Sequence, residues 1–230
     1  PKSKLGDLFQ LGIGGHRLLA GDATKKEDVE RLMDGQKADM ILTDPPYGIS
    51  YEESKNWAKP SYTKRLIIGD NKPFDFNSVA WPECDTWCVW GANYFSDKIG
   101  RFYDGNYVVW AKAHSDEENK TFGSAFELAW MLPSHKQMIW FVRRINMGKE
   151  EHSLHVTQKP IEVMTRAMEY HSMKSGTTIV DLFGGSGSTL IACEQLNRKC
   201  YMMEIDPRYI DVIIERWEKF TGKKAKRLSP

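Results

Sequence analysis

Seven short apolar runs, separated by segments of helical periodicity, set the rhythm of this chain. They are His16 to Ala20, Asp39 to Thr43, Thr86 to Trp90, Tyr107 to Trp110, Met138 to Val142, Thr178 to Phe183 and Cys200 to Glu204. Each is brief and rich in aromatic or β-branched residues, and several are apolar on both faces, as strands covered from both sides must be. The helical segments are Lys25 to Met33, Gln158 to Tyr170, Ser186 to Leu196 and one from Pro207 to about Phe220. Thr24, with Glu27 three residues on, predicts a capping box for the first, and Asp206-Pro207 predicts the start of the last. Strands alternating with helices imply an α/β fold around a largely parallel sheet, with ligands outside the carboxyl ends of the strands. No repeat or Pro/Gly/Ser linker divides the chain, so residues 1–230 read as a single domain.

Composition narrows the class. With 41 % hydrophobic residues in 230, a sizeable core is available and intrinsic disorder is excluded. No apolar run is long enough to cross a membrane and no signal-peptide pattern opens the chain, so we expect a soluble, cytoplasmic protein without a membrane partner. Cys84, Cys88, Cys193 and Cys200 are too sparse for a disulfide scaffold and lack zinc-site spacing, so they read as reduced packing residues. His152 and His155 lack nearby ligating partners, and no metal is assigned. An opening at Pro1 leaves room for a larger parent chain.

The 32 basic and 31 acidic residues nearly cancel, which argues against binding a polyanion by bulk charge alone. Locally the balance differs. Residues 54–68 carry Lys55, Lys59, Lys64 and Arg65 with no acid, interleaved with Trp57 and Tyr62; residues 128–149 carry Lys136, Arg143, Arg144 and Lys149, also with no acid. These are the candidate nucleic-acid contacts, with solvated surface as the alternative. Most of the eight tryptophans read as core, Trp57 excepted.

The strand ending at Thr43 runs straight into Asp44-Pro45-Pro46-Tyr47. Two prolines stiffen the loop, so the Asp44 carboxylate and the Pro45 carbonyl can be held as paired acceptors. Paired acceptors suit the exocyclic amine of a nucleobase, and Tyr47 offers a face for stacking. The bland alternative is a capping aspartate with a packed tyrosine.

The strand 178–183 leads into Gly184-Gly185-Ser186-Gly187 at the mouth of a helix, and Glu204 follows at the end of the next strand. A glycine turn with a later acid suits an adenosine-type cofactor whose ribose meets the carboxylate. A P-loop lysine is absent, and the turn alone leaves NAD open. Hydride transfer, however, has no use for an amine-gripping Asp-Pro-Pro-Tyr loop.

Together these motifs resemble those of the amino-methylating, S-adenosylmethionine-dependent DNA methyltransferases. Asp44 to Tyr47 match the catalytic loop; Phe183, Gly185 and Gly187 match the cofactor loop; and the order, catalytic loop first, resembles the permuted β-type arrangement of adenine-N6 enzymes, phage-like ones especially. His155 to Pro160 resembles a segment near the cofactor's methionine end, with Val156 in place of proline, which marks Thr157 and Lys159 as cofactor residues. Asp22 resembles the contact to the cofactor adenine and Asp181 that to its amino-acid part, so the expected cofactor set is Asp22, Thr157, Lys159, Asp181, Phe183, Gly184, Gly185, Gly187 and Glu204. Trp90 to Tyr94 and Glu127 to Trp130 resemble stretches of adenine-specific members. The resemblance implies a Rossmann-like methyltransferase fold: seven mostly parallel strands, one of them antiparallel, with helices on both faces.

The function this resemblance implies is methyl transfer to the amine of an adenine flipped out of DNA, in a restriction-modification setting that leaves room for a partner nuclease. Asp44 and Pro45 would grip the amine, with Pro46 stiffening the loop and Tyr47 stacked on the ring. Lys55, Lys59, Lys64, Arg65, Arg143 and Arg144 are the expected DNA contacts. The alternatives are cytosine-N4 methylation, where Ser more often stands at the Asp44 position; RNA or protein-amide methylation, where Asn does; and a non-catalytic nucleic-acid-binding module of the same fold.

Overall fold

The computed structural model describes residues 1–13, 15–49, 68–113, 115, 118, 124–143 and 158–228. In chain order the elements are β1 (Leu8–Leu11), β2 (His16–Ala20), α1 (Lys26–Met33), β3 (Met40–Thr43), β4 (Trp87–Trp90), β5 (Asn106–Ala111), β6 (Phe126–Leu132), β7 (Met138–Phe141), α2 (Ile161–Tyr170), β8 (Thr178–Asp181), α3 (Ser188–Gln195), β9 (Lys199–Glu204), α4 (Pro207–Thr221) and β10 (Ala225–Leu228). All ten strands join one sheet in the order β10-β1-β2-β9-β8-β3-β4-β6-β5-β7.

The α/β class and the mixed, mostly parallel sheet stand, but the expected strand count is corrected. There are ten strands among the described residues rather than seven, and two, β1 and β6, run against the rest. The seven runs picked out by their apolar pattern are all strands. The three added ones are β1, β6 and β10. β10 (Ala-Lys-Arg-Leu) has the composition of a basic tail, yet it pairs antiparallel with β1 from Leu8–Leu228 to Leu11–Ala225. Edge pairing there depends on backbone hydrogen bonds more than on a buried face. β6 runs from an exposed Phe126 to a buried Leu132, and this gradient hides the alternation of a half-buried strand.

Period-two alternation sends successive residues to opposite cores. From β8, Ile179 packs under α2, α3 and α4, whereas Val180 packs under α1; β9 divides Cys200 and Met202 from Tyr201 and Met203 in the same way. Helices therefore cover both faces. A third cluster, of Phe76, Val89, Ala92, Phe95, Ile99, Trp130 and Leu132, fills the space near β4 and β6. Asp206 caps α4 as expected, accepting from the Arg208 N–H at 2.9 Å. The capping box at Thr24 does not form: α1 starts at Lys26 after an extended Lys25, and the Thr24 hydroxyl donates to Asp22 at 2.8 Å. The Thr24 N–H also donates to Asp22, at 2.9 Å, so the turn closes on the aspartate before the helix begins.

Candidate active site

β3 and β8 are parallel neighbours whose onward connections diverge, β8 through α3 to β9 on one side and β3 to β4 on the other. This is the switch point at which α/β sheets bind ligands. Both motifs emerge there side by side. Asp181, at the end of β8, accepts from the Thr43 hydroxyl at 2.8 Å, the Thr189 hydroxyl at 2.6 Å and the Phe183 N–H at 3.1 Å. It thus pins β3 to the glycine loop and to α3. Burial pushes its carboxyl up to about 7, against the pull of these three donors.

Asp44 follows Thr43 and joins a chain of alternating charges. Its Oδ2 accepts from Lys159 Nζ at 2.5 Å and its Oδ1 from the Tyr47 hydroxyl at 2.7 Å. Lys159 Nζ also meets Glu127 Oε2 at 3.0 Å and the Tyr47 hydroxyl oxygen at 3.0 Å, and Glu127 is held on its other oxygen by Lys112. Lys159 is only 5 % exposed, so its charge exists by virtue of these partners. Burial works against that charge, but Asp44 and Glu127 outweigh it and hold the ammonium above its usual range. For Glu127 burial likewise opposes ionisation, yet Lys159 and Lys112 bring the carboxyl down to about 2. The Asp44 carboxyl is raised by burial despite Lys159. Burial beside Asp44 and Glu127 keeps the Tyr47 hydroxyl protonated.

The loop is held by residues that its motif does not announce. Gly48 has φ +73°, and a Cβ there would lie 2.3 Å from the Lys72 carbonyl oxygen. Its N–H donates to buried Asp70 at 2.8 Å, which fixes where the loop ends. Gly91, just after β4, has φ +68° and lies against the Tyr47 ring, where a Cβ would be 2.0 Å from Cε1. Tyr94 stacks on Tyr47 with centroids 5.0 Å apart and planes 15° from parallel. Gly91 and Tyr94 fall within Trp90 to Tyr94, and Glu127 opens the other stretch singled out by resemblance; nothing in the sequence assigned them these places.

The second half of the cleft lies at the ends of β8, β9 and β2. Glu204 accepts from the Gly185 N–H at 2.8 Å and the Asp206 N–H at 2.9 Å, and burial pushes its carboxyl up to about 7. Gly185 has φ +52° and nothing within 4 Å of a Cβ position, so the loop presents bare backbone to open space. Gly187, at φ +84°, caps α3. Gly184 serves packing, since a Cβ there would press on Met202 at 2.8 Å. Asp22 lies beside this corner: the Gly21 N–H donates to the Glu204 carbonyl at 3.1 Å. Phe183 packs edge-on against Phe74.

Lys159, expected among the cofactor residues, touches both halves of the cleft: its carbonyl accepts from Ser188 near the glycine loop at 2.7 Å, and its side chain reaches Asp44. Of the expected nucleic-acid contacts, Arg143 is exposed and pairs with Glu118 at 3.5 Å. Lys55, Lys59, Lys64, Arg65 and Arg144 lie outside the described residues, as do Trp57, Tyr62, His152, His155, Val156 and Thr157. The four cysteines are free. Among the described residues no helix is long and apolar enough to cross a membrane.

Comparison with known proteins agrees with this geometry. The type II methyltransferase M2.MboI of Moraxella bovis is 24 % identical over 162 residues, which is 70 % of this chain and 56 % of that enzyme. The type II methyltransferase M.HpaI of Haemophilus parainfluenzae is 20 % identical over 242 residues, 90 % of this chain and 76 % of its own. The chain thus spans little more than half of the Moraxella enzyme. Among solved structures, the PvuII DNA methyltransferase (cytosine-N4-specific) superposes with a TM-score of 0.60 at 14 % identity, covering 95 % of this chain and 94 % of that one. The M1.HpyAVI complex with SAM gives 0.52 at 18 % identity over 86 % of this chain and 98 % of that one. A family profile described as DNA methylase matches residues 38–215, from the strand before the catalytic loop to well inside α4. With both motifs meeting at one switch point and that profile spanning most of its length, the chain belongs to the N6/N4 DNA methylase family.

Proposed function

We propose that this chain transfers a methyl group from S-adenosylmethionine to the exocyclic amine of an adenine flipped out of DNA. The observation that carries the reading is the Thr43–Asp181 junction, which sets an acidic, proline-stiffened loop beside a glycine cradle at adjoining strand ends. The cradle fits the cofactor on its own chemistry: Gly185 leaves backbone open to a ligand, and Glu204 offers a carboxylate suited to ribose hydroxyls. Asp22, Phe183, Gly184, Gly185, Gly187 and Glu204 would line that side, with Asp181 fixing the loop from beneath; Thr157 completes the proposed cofactor set. When bound, the cofactor supplies an electrophilic sulfonium methyl.

This chain's part is to aim the nucleophile. Asp44 and the Pro45 carbonyl accept the two amine hydrogens and direct the nitrogen lone pair out of the ring plane, Pro46 keeps the loop rigid, and Tyr47 stacks on the base. A flipped base is needed because an amine inside the duplex is out of reach. Aspartate at position 44 favours adenine over cytosine. The basic residues Lys55, Lys59, Lys64, Arg65, Arg143 and Arg144 would grip the phosphates.

Incubation with unmodified genomic DNA and methyl-labelled S-adenosylmethionine, then digestion to nucleosides, tests the reading. Labelled N6-methyldeoxyadenosine is expected; label in N4-methyldeoxycytidine would reassign the base, and label only in RNA or protein would overturn the DNA substrate.

A further inference from the structure

The ammonium of Lys159 has three N–H donors, and each meets one acceptor: Asp44 Oδ2 at 2.5 Å, Glu127 Oε2 at 3.0 Å and the Tyr47 hydroxyl oxygen at 3.0 Å. The first two are charged and strong. The third is a neutral phenol oxygen, the weakest acceptor of the set and the one most readily exchanged. Asp44 therefore carries beside it, at hydrogen-bonding distance, a group that only donates. An obligate acceptor next to an obligate donor is the complement of a molecular edge that presents a donor next to an acceptor.

Adenine presents that edge as N6–H₂ beside N1, and cytosine presents it as N4–H₂ beside N3. Guanine's 2-amino group differs on its Watson–Crick side, where the neighbouring ring nitrogen is N1–H, a second donor; its acceptor neighbour, N3, lies on the sugar side. We propose that Lys159 is a base-recognition residue: anchored on Glu127, it donates to the ring nitrogen adjoining the amine that Asp44 accepts, so the Asp44–Lys159 pair reads the amine-beside-ring-nitrogen edge that adenine and cytosine share. This rests on the proposed function and deepens it. The ring nitrogen takes the proton now directed at the Tyr47 oxygen, which frees the phenol as the ring stacks. Glu127 and Lys112 are positioning residues in this arrangement, since Lys112 fixes Glu127 and Glu127 keeps the ammonium beside Asp44 once the amine arrives. Choice between adenine and cytosine is left to other parts of the pocket, as expected of a pair that reads only what the two bases share.

The test deletes one atom from the substrate. Once the methylated site is located by sequencing treated DNA, duplexes of that sequence are made with adenine, 1-deazaadenine or 7-deazaadenine at the target (3-deazacytosine if the base is cytosine). The expected result for the wild-type chain is at least a tenfold slower single-turnover transfer to the 1-deaza duplex, with the 7-deaza duplex close to normal. Loss of N1 weakens pairing with thymine and so assists flipping, which makes a slower rate the harder outcome to obtain by accident. In Lys159→Met the normal and 1-deaza duplexes should react at equal, reduced rates, while S-adenosylmethionine binding is retained. Removing a buried charge risks misfolding, but the wild-type comparison of substrates needs no variant. Equal wild-type rates on adenine and 1-deazaadenine would overturn the inference alone, leaving methyl transfer intact. No transfer to any unmodified DNA would overturn the proposed function and the inference with it.

Discussion

At the scale of single residues, Asp44 is where two requirements meet. For the proposed transfer it must stay ionised and accept hydrogens, yet burial raises its carboxyl; Lys159 and the Tyr47 hydroxyl offset that burial from two sides. Asp44→Ala is expected to lower transfer by roughly 100-fold or more, the usual consequence of removing one preorganised partner from a reacting group, with S-adenosylmethionine affinity unchanged by equilibrium binding. Glu204 supplies a second prediction. Its carboxyl stands at about 7 in the free chain, so below that pH it holds a proton that a carboxylate accepting ribose hydroxyls must give up. Cofactor affinity should therefore strengthen as pH rises from about 6 to 8, and Glu204→Gln should flatten that dependence while weakening binding. Titrations of wild type and variant in parallel isolate this from Asp181, whose carboxyl burial also pushes up to about 7, and from the histidines. Burial lowers His16 and His171, so the stability tied to their neutral form is lost as pH falls below the ordinary histidine value, a change in folding that wild type and variant share.

Among elements, the glycines after β3 and β4 set the shape of the catalytic loop. Gly91→Ala puts a methyl inside the Tyr47 ring at a left-handed backbone position, so the ring must leave its place. We expect transfer to collapse at a stability cost of about 1–3 kcal/mol, measurable as a modest fall in melting temperature with the fold retained by circular dichroism. Most of the elements were legible in the sequence because buried parallel strands are continuous apolar runs, and Asp44 to Tyr47 and Gly184 to Gly187 announce themselves by residue type. What escaped did so for physical reasons. β6 and β10 owe their pairing to neighbours in space, not to their own alternation. Gly48, Asp70, Gly91 and Glu127 act through contacts with residues 22 to 80 positions away or through backbone approach, which no local spacing encodes. Lys159 was picked out for the cofactor, and its contact with Asp44 went unforeseen, because sequence shows where a long side chain starts and not where it ends.

For the whole molecule, seven adjoining strands, from β2 across to β5, bring the cofactor corner, the catalytic loop and the Lys112–Glu127–Lys159–Asp44 charge chain to one end of the sheet. The near-neutral net charge means that grip on DNA must come from local clusters. Neutralising Lys55, Lys59, Lys64 and Arg65 should lower the slope of log affinity against log salt by about 0.9 for each phosphate contact removed, read by fluorescence anisotropy across a salt series. The most direct test of the central claim is a single mass-spectrometric measurement of nucleosides from one DNA sample divided between the wild-type chain and Asp44→Ala, both with S-adenosylmethionine. We predict N6-methyldeoxyadenosine in the first and none above background in the second; equal yields from the two, or no methylated base from either, would contradict the account.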